Sequence, residues 1–326
     1  MGEEGNLAAS KLALICTAAA APFCAIAPSI AGPKPDPARI AIIDASVNTT
    51  PYLDVLANAG VKVIGRYYSR CPQPELVPEK RIIDNEGEIE AILTHKAGFA
   101  ILSIYQYYNN NAKKFDGMYF DKFKKKFFAL PADNECSKPA DPPNTTEKEA
   151  ALDVAAAVRQ ALSVGQPKGS AIYFGVDYNY SDDDKDKVLR YFTVVSNELR
   201  THGYLVGVYG NGAAITLLTS ARHADGPFKG KPLVDLAWLN SARSHAGSIE
   251  LYRSGKWDLL QTKWDFKFPA GELGAVEIDT NIQNKERASK YIGFWSRDGL
   301  YKMPEQLITV TYDKGRLESV YAGFMK

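Results

Sequence analysis

The sequence predicts an α/β protein: a (β/α)8 TIM-type barrel with some outer helices degraded, followed by a C-terminal β-hairpin. Three observations lead there. Strand-like runs rich in β-branched and aromatic residues recur at about 39–44, 61–67, 98–105, 170–177, 203–209, 234–239, 257–262 and 274–279. Helical stretches with an apolar spacing near 3.6 residues separate several of them, as a barrel requires. Three runs stop at an aspartate, Ala41-Ile42-Ile43-Asp44, Phe174-Gly175-Val176-Asp177 and Val276-Glu277-Ile278-Asp279. An acid just after a buried strand falls on the C-terminal rim of a parallel sheet, where α/β proteins build their sites. A doubly wound open sheet is the weaker alternative.

Taken in order, the chain begins with an uncharged run from Leu12 to Ala31, behind a polar head in which Glu3 and Glu4 offset Lys11. The run closes on Ser29-Ile30-Ala31, and the small residues at both ends suit signal peptidase. Residues 1–31 therefore read as a secretory signal. The competing reading is an uncleaved membrane anchor, which Pro22 and Pro28 weaken. An exported, periplasmic or extracellular protein follows, with no stable membrane insertion once the signal is removed. Cleavage leaves Cys71 and Cys136, candidates for one disulfide between the loops after the second and third strands. Spacing alone does not establish that they meet.

The barrel domain is expected over 32–285. Its third strand is followed by an insertion, 106–145, rich in Asn, Lys, Phe and Pro and of a length typical of lids and binding elements. The Lys113-Lys114 and Lys122 to Lys126 clusters within it read as solvated faces before they read as a polyanion patch. Glu147 to Val164 and Asp184 to His202 are the clearest helices. Thr146 with Glu149 suggests a capping box for the first, and Ser181 followed by three aspartates suits the positive N-terminus of the second. Gly98, Gly203 and Gly274 each precede a strand, as tight helix-to-strand turns do. Beyond 285 lies an extension, 286–326, in which Leu307 to Tyr312 and Arg316 to Tyr321 flank Asp313-Lys314-Gly315 and read as a hairpin.

Composition excludes some functions. The 326 residues are 45% hydrophobic and 24% charged, with 39 basic against 38 acidic side chains and a net charge of +1. That balance favours neither nucleic acid nor an anionic membrane surface. His95, His202, His223 and His245 are scattered without metal-ligand spacing, and no Gly-x-Ser-x-Gly elbow occurs. Carboxylates from three separated strands bring few of the oxygens that Ca²⁺ or Mg²⁺ needs. No metal and no cofactor are expected.

The predicted strand ends also carry Arg66, Tyr105 with Gln106, Tyr209, Trp238 with Asn240, and Gln261, with Trp264 close by. Flat aromatic faces with amide, guanidinium and carboxylate groups form an inventory suited to a polymeric carbohydrate. Any one aromatic reads equally well as core packing, and Arg66 as the partner of a buried acid.

These residues carry a resemblance. Ala41 to Asn48, Ile172 to Tyr178, Val206 to Gly210 and Val276 to Asn281, in that order, resemble the glycoside-hydrolase-like family of exported bacterial proteins. That family is in turn similar to the family 25 lysozymes, which cleave peptidoglycan in a (β/α)8-like barrel, and the likeness spans about 39–285. It implies peptidoglycan as the polymer and catalytic roles for Asp44, Asp177 and Asp279. It also implies a departure. The lysozymes end their fourth strand in Asp-x-Glu with the glutamate as general acid, whereas this chain has Asp177-Tyr178-Asn179. Asn179 cannot donate a proton as an acid, and is assigned to substrate binding. Glycosidic cleavage needs one protonated and one ionised carboxyl. Asp177 with a raised pKa is the expected substitute, beside an ionised Asp279 or Asp44, and Glu277 is a further candidate. The alternative is a non-catalytic glycan-binding barrel that has lost its acid.

Overall fold

The computed structural model describes residues 40–70, 90–106, 112–121, 126–129 and 144–311. The signal segment, Cys71, Cys136, much of the insertion and the hairpin's second strand lie outside the described residues. The strands are β1 Ile42–Asp44, β2 Val63–Tyr68, β3 Ala100–Tyr105, β4 Met118–Asp121, β5 Lys126–Ala129, β6 Ala171–Val176, β7 Leu205–Gly210, β8 Leu236–Leu239, β9 Leu259–Pro269, β10 Ala275–Gln283, β11 Trp295–Ser296 and β12 Gly299–Leu300.

Eight of them close a barrel in the order β1-β2-β3-β6-β7-β8-β9-β10, with β10 returning to β1. All neighbours from β1 round to β9 are parallel. β10 is antiparallel to both β9 and β1. This corrects the expectation that Asp279 ends a parallel strand, and the reason is chain length. Only residues 270–274 join β9 to β10, whereas a parallel return needs about a dozen residues or more. The chain therefore doubles back as a hairpin whose last turn residue, Gly274, has φ 81°. Asp279 still reaches the rim, because the antiparallel register places it directly opposite Asp44.

The outer helices are uneven, as expected. Thr146–Ser163 and Lys185–Thr201 are long, while Leu53–Asn58, Glu90–Lys96 and Ser248–Ser254 make two turns or fewer. The capping residue of the first long helix is Thr145, whose hydroxyl accepts from Lys148 N at 3.3 Å. Thr146 instead donates to Asp116 at 2.8 Å and Glu149 turns inward to Arg70, so the expected capping box does not form. Within the insertion, β4 and β5 pair as an antiparallel ribbon that the sequence did not announce.

The barrel interior is filled by Ile42, Val63, Leu102, Ile104, Tyr173 and Trp238 among others, joined from the extension by Ile292, Phe294, Met303 and Ile308. Tyr173 Oη donates to Ile292 O at 2.8 Å, tying the extension to the lower end of β6. The segment expected as the hairpin's first strand is a helix, Glu305–Thr311. Pro304 followed by Glu305 is a helix start, and Leu307 N bonds back to Pro304 O at 2.9 Å. That start outweighs the strand propensity of the β-branched residues after it.

Candidate functional site

Asp44 ends β1 and is fully buried. Its Oδ1 accepts from Tyr67 Oη at 2.6 Å and its Oδ2 from Asn281 Nδ2 at 2.7 Å. Asn281 is held in turn by Trp238 Nε1 at 2.9 Å. Room for the carboxylate exists because residue 65, opposite it on β2, is glycine: a Cβ there would lie 2.5 Å from the Cβ of Asp44. Across the antiparallel pairing, Asp279 accepts from Gln261 Nε2 at 2.7 Å and from the backbone N–H of Asp265 at 2.8 Å. Burial pushes Asp279 up to about 8, and the carboxylate of Asp44 adds to the rise. Burial likewise raises Asp44 to about 6, against the hydrogen bonds from Tyr67 and Asn281. The two acids face each other across the strand pairing, and like charges so placed disfavour ionising both.

Asp177 follows β6. Its two oxygens accept from Asn240 Nδ2 at 3.0 Å and Gln106 Nε2 at 3.3 Å. Burial raises its pKa while these two amides pull it down. Beneath it Lys114 is buried, with Nζ donating to Gly175 O at 2.9 Å. Lys114 is thus no solvated surface charge; burial lowers its pKa to about 8, with Asp153, Asp177 and Glu149 opposing the fall.

Asp177 and Asp279 line one open cleft of about 590 Å³, with Tyr209, Asn240, Gln261, Thr262, Trp264 and residues 241–244. Tyr209 donates to Gln261 Oε1 at 3.2 Å and packs on Trp238 at 4.7 Å between ring centroids. Trp264 is 57% exposed, an open aromatic face at the cleft edge. Trp238 lies just below, in the interior, and supports the site through Asn281.

Four expected or candidate site residues are elsewhere. Arg66 is buried and gives two hydrogen bonds to Glu90, at 2.9 and 2.8 Å, plus a third to Ala45 O, so it fixes β2 to the helix Glu90–Lys96. Glu90 also accepts from Thr49 N at 2.9 Å and Thr49 Oγ1 at 2.6 Å. Tyr105 points away from the barrel axis, stacks on Phe174 and donates to Asp153 at 2.7 Å. The next residue, Gln106, reaches Asp177 instead. Asn179 is exposed, does not line the cleft, and accepts from Ala246 N at 3.0 Å. Glu277 is exposed on the outer half of β10, opposite Lys267, and is not a site acid.

Sequence reading placed Gln106 and Asn240 at the strand ends but missed Gly65, Lys114 and Asn281 as site residues. A signal existed for Asn281, which lies two residues beyond Asp279 on the same face of a strand.

The arrangement is a sugar-sized groove with amide and hydroxyl donors, one open tryptophan, two facing carboxyls of raised pKa, and a third carboxylate held by amide donors. Among the described residues no cluster of His, Cys, Asp and Glu is fit to hold a metal ion.

The protein named uncharacterized protein FadG of Bacillus subtilis (strain 168) is 26% identical over 190 residues, covering 56% of this chain and 27% of that one, so the chain spans about a quarter of its relative's length. The crystal structure of the Tat-secreted protein Rv2525c of Mycobacterium tuberculosis, in complex with L-tartrate, is 16% identical and is matched over 79% of this chain and 100% of that one, with a TM-score of 0.48. The catalytic domain of endolysin ply40 from Listeria monocytogenes bacteriophage P40 is 14% identical over 74% of this chain and 92% of that one, with a TM-score of 0.40. Residues 54–283, which include Asp177, Asn179 and Asp279, match the model of one family. The chain belongs to the Rv2525c-like, glycoside hydrolase-like domain family.

Proposed function

We propose that this is an exported glycosidase that cleaves a polymeric glycan, with peptidoglycan as the first substrate to test. The observation that carries the reading is that Asp177 and Asp279, from strands far apart in sequence, line one cleft, with a third aspartate, Asp44, buried opposite Asp279. A neutral glycan gives a pure binder little reason to bury several acids together. Their environments divide the two roles that glycosidic cleavage requires. Asp279, raised by burial and by Asp44, carries the proton for the departing oxygen. Asp177, whose oxygens both accept from amides, is the ionised group that stabilises positive charge on the sugar or activates water. This assignment exchanges the roles expected from sequence, where Asp177 was the acid. Trp264 offers the apolar face of a sugar ring a stacking surface. Residues 1–31 act as the export signal, and 32–285 as the working domain.

A second reading rests on Asn179. Its amide oxygen is committed to Ala246, so the position that holds the acid in the lysozymes is unavailable for chemistry. The protein is then a glycan-binding barrel. The test is reducing-end release from purified peptidoglycan by the protein without its signal, beside Asp177→Asn and co-sedimentation of both. We expect release by wild type, a fall of about 10²-fold or more in the variant, and unchanged sedimentation. Sedimentation without release establishes the binder, and failure of both removes peptidoglycan as the ligand.

A further inference from the structure

The two residues that follow β8 are tied to opposite acids of the cleft. Asn240, anchored by its own N–H to Gly210 O at 2.8 Å, gives Nδ2 to Asp177 at 3.0 Å. Ser241 reaches the other acid at one remove. Its backbone N–H and its hydroxyl both donate to Gln261 Oε1, at 3.3 and 2.8 Å, and Tyr209 Oη donates to the same oxygen at 3.2 Å. Gln261 is buried, and its Nε2 donates to Asp279 Oδ2 at 2.7 Å. The two ends of an amide are alike in shape, so the surrounding donors and acceptors decide which end faces where. Here they force one orientation. A backbone N–H cannot accept, so turning Gln261 over would set its NH2 against the N–H of Ser241. An amide oxygen has two lone pairs, and three donors leave none of them for a ligand. Gln261 therefore offers Asp279 a donor and never an acceptor. The backbone N–H of Asp265, on the other oxygen of Asp279, is likewise a donor only. Neither group competes with the cleft for a proton that Asp279 carries.

We propose that the Asn240-Ser241 step is a spacer that holds both cleft acids, and that Gln261 is a positioning residue, locked by Ser241 and Tyr209, which keeps Asp279 free to give its proton to the glycan. The inference rests on the glycosidase reading, and it takes Gln261 out of the sugar-binding set in which the sequence placed it. Asn240 acts on Asp177 directly, and Ser241 acts on Asp279 only through the amide between them. One strand end thus fixes the relative position of two carboxyls that come from β6 and β10. Buried amides committed at both ends move little, which is what a proton donor held at a set distance from its partner requires.

The test has two parts, and the first needs no turnover. In protein isotope-labelled at glutamine, with Gln261→Met to assign the signal by NMR, the side-chain amide of Gln261 is expected to exchange its protons with water about tenfold or more slower than exposed glutamines do. Ser241→Ala combined with Tyr209→Phe should remove most of that protection. An amide that exchanges freely in wild type overturns the proposal. In the second part, Gln261→Met should slow reducing-end release from peptidoglycan by about 10²-fold with co-sedimentation unchanged. Ser241→Ala should slow it by up to about tenfold, as one lost hydrogen bond does. Because Ser241 works through Gln261, the double variant should be no slower than Gln261→Met alone. Losses that multiply, or loss of sedimentation in Gln261→Met, overturn the proposal. Should Gln261→Met fail to fold, the wild-type exchange and the Ser241→Ala rate still decide. A protected amide without cleavage counts against the glycosidase reading alone, whereas cleavage with an unprotected amide counts against Gln261 alone.

Discussion

The raised carboxyl of Asp279 has a thermodynamic consequence at the scale of single residues. Asp279 is raised to about 8 in the folded chain, against about 3.9 when unfolded, so the native state binds more protons throughout that interval. Its contribution to stability is fully present below about pH 4 and is lost as pH rises towards 8. Urea unfolding should therefore show a midpoint that falls between pH 5 and pH 8, and Asp279→Asn should flatten that fall. An equal slope in the variant would place the proton elsewhere. The three aspartates were legible in sequence because each ends or follows an apolar run. Arg66 and Tyr105 were not, because the facing of a strand-end residue depends on which helix covers it. Lys114 was illegible for a similar reason: its neighbours Asp153 and Gly175 are some forty and sixty residues away.

At the scale of elements, the β9–β10 hairpin builds the cleft edge. The register between β9 and β10 shifts beside Asp279, and Asp265 in that irregularity is the one non-glycine with positive φ, 50°, among the described residues. That turn of backbone aims the Asp265 N–H at Asp279 while Trp264 stays open to the cleft. Aspartate tolerates the left-handed region and valine does not. Asp265→Val should cost about 1–3 kcal/mol in denaturant unfolding and weaken glycan binding, whereas Asp265→Gly should retain both. Equal behaviour of the two variants would show that the strained conformation does not matter. The hairpin itself was not read from sequence, because β9 runs on past the expected 257–262 to Pro269 and only that extension makes the connector too short for a parallel return. Nor was the register shift, since it leaves both strands apolar enough to look regular.

At the scale of the whole molecule, the extension completes the barrel. Phe294 is wholly buried among Ile292, Met303, Ile308 and the lower strand residues, and Trp295 donates from outside to Ser103 at 2.9 Å. Phe294→Ala should destabilise by about 3–5 kcal/mol by urea titration, although Phe294 does not line the cleft. A loss below about 1 kcal/mol would mean that the extension is an ornament. The barrel was legible from eight spaced strands, but the plug was not, because its apolar residues are too scattered to show a period. Closure of the barrel also fixes an order of events. Asn281 and Asp44 are 237 residues apart, and their contact forms only after nearly the whole domain has been made and β10 has turned back on β1. Pairings of such long range are slow to form. A chain emerging from a ribosome or a membrane pore thus carries its first aspartate solvated and without its partner until the end, and an incompletely folded copy holds no assembled site.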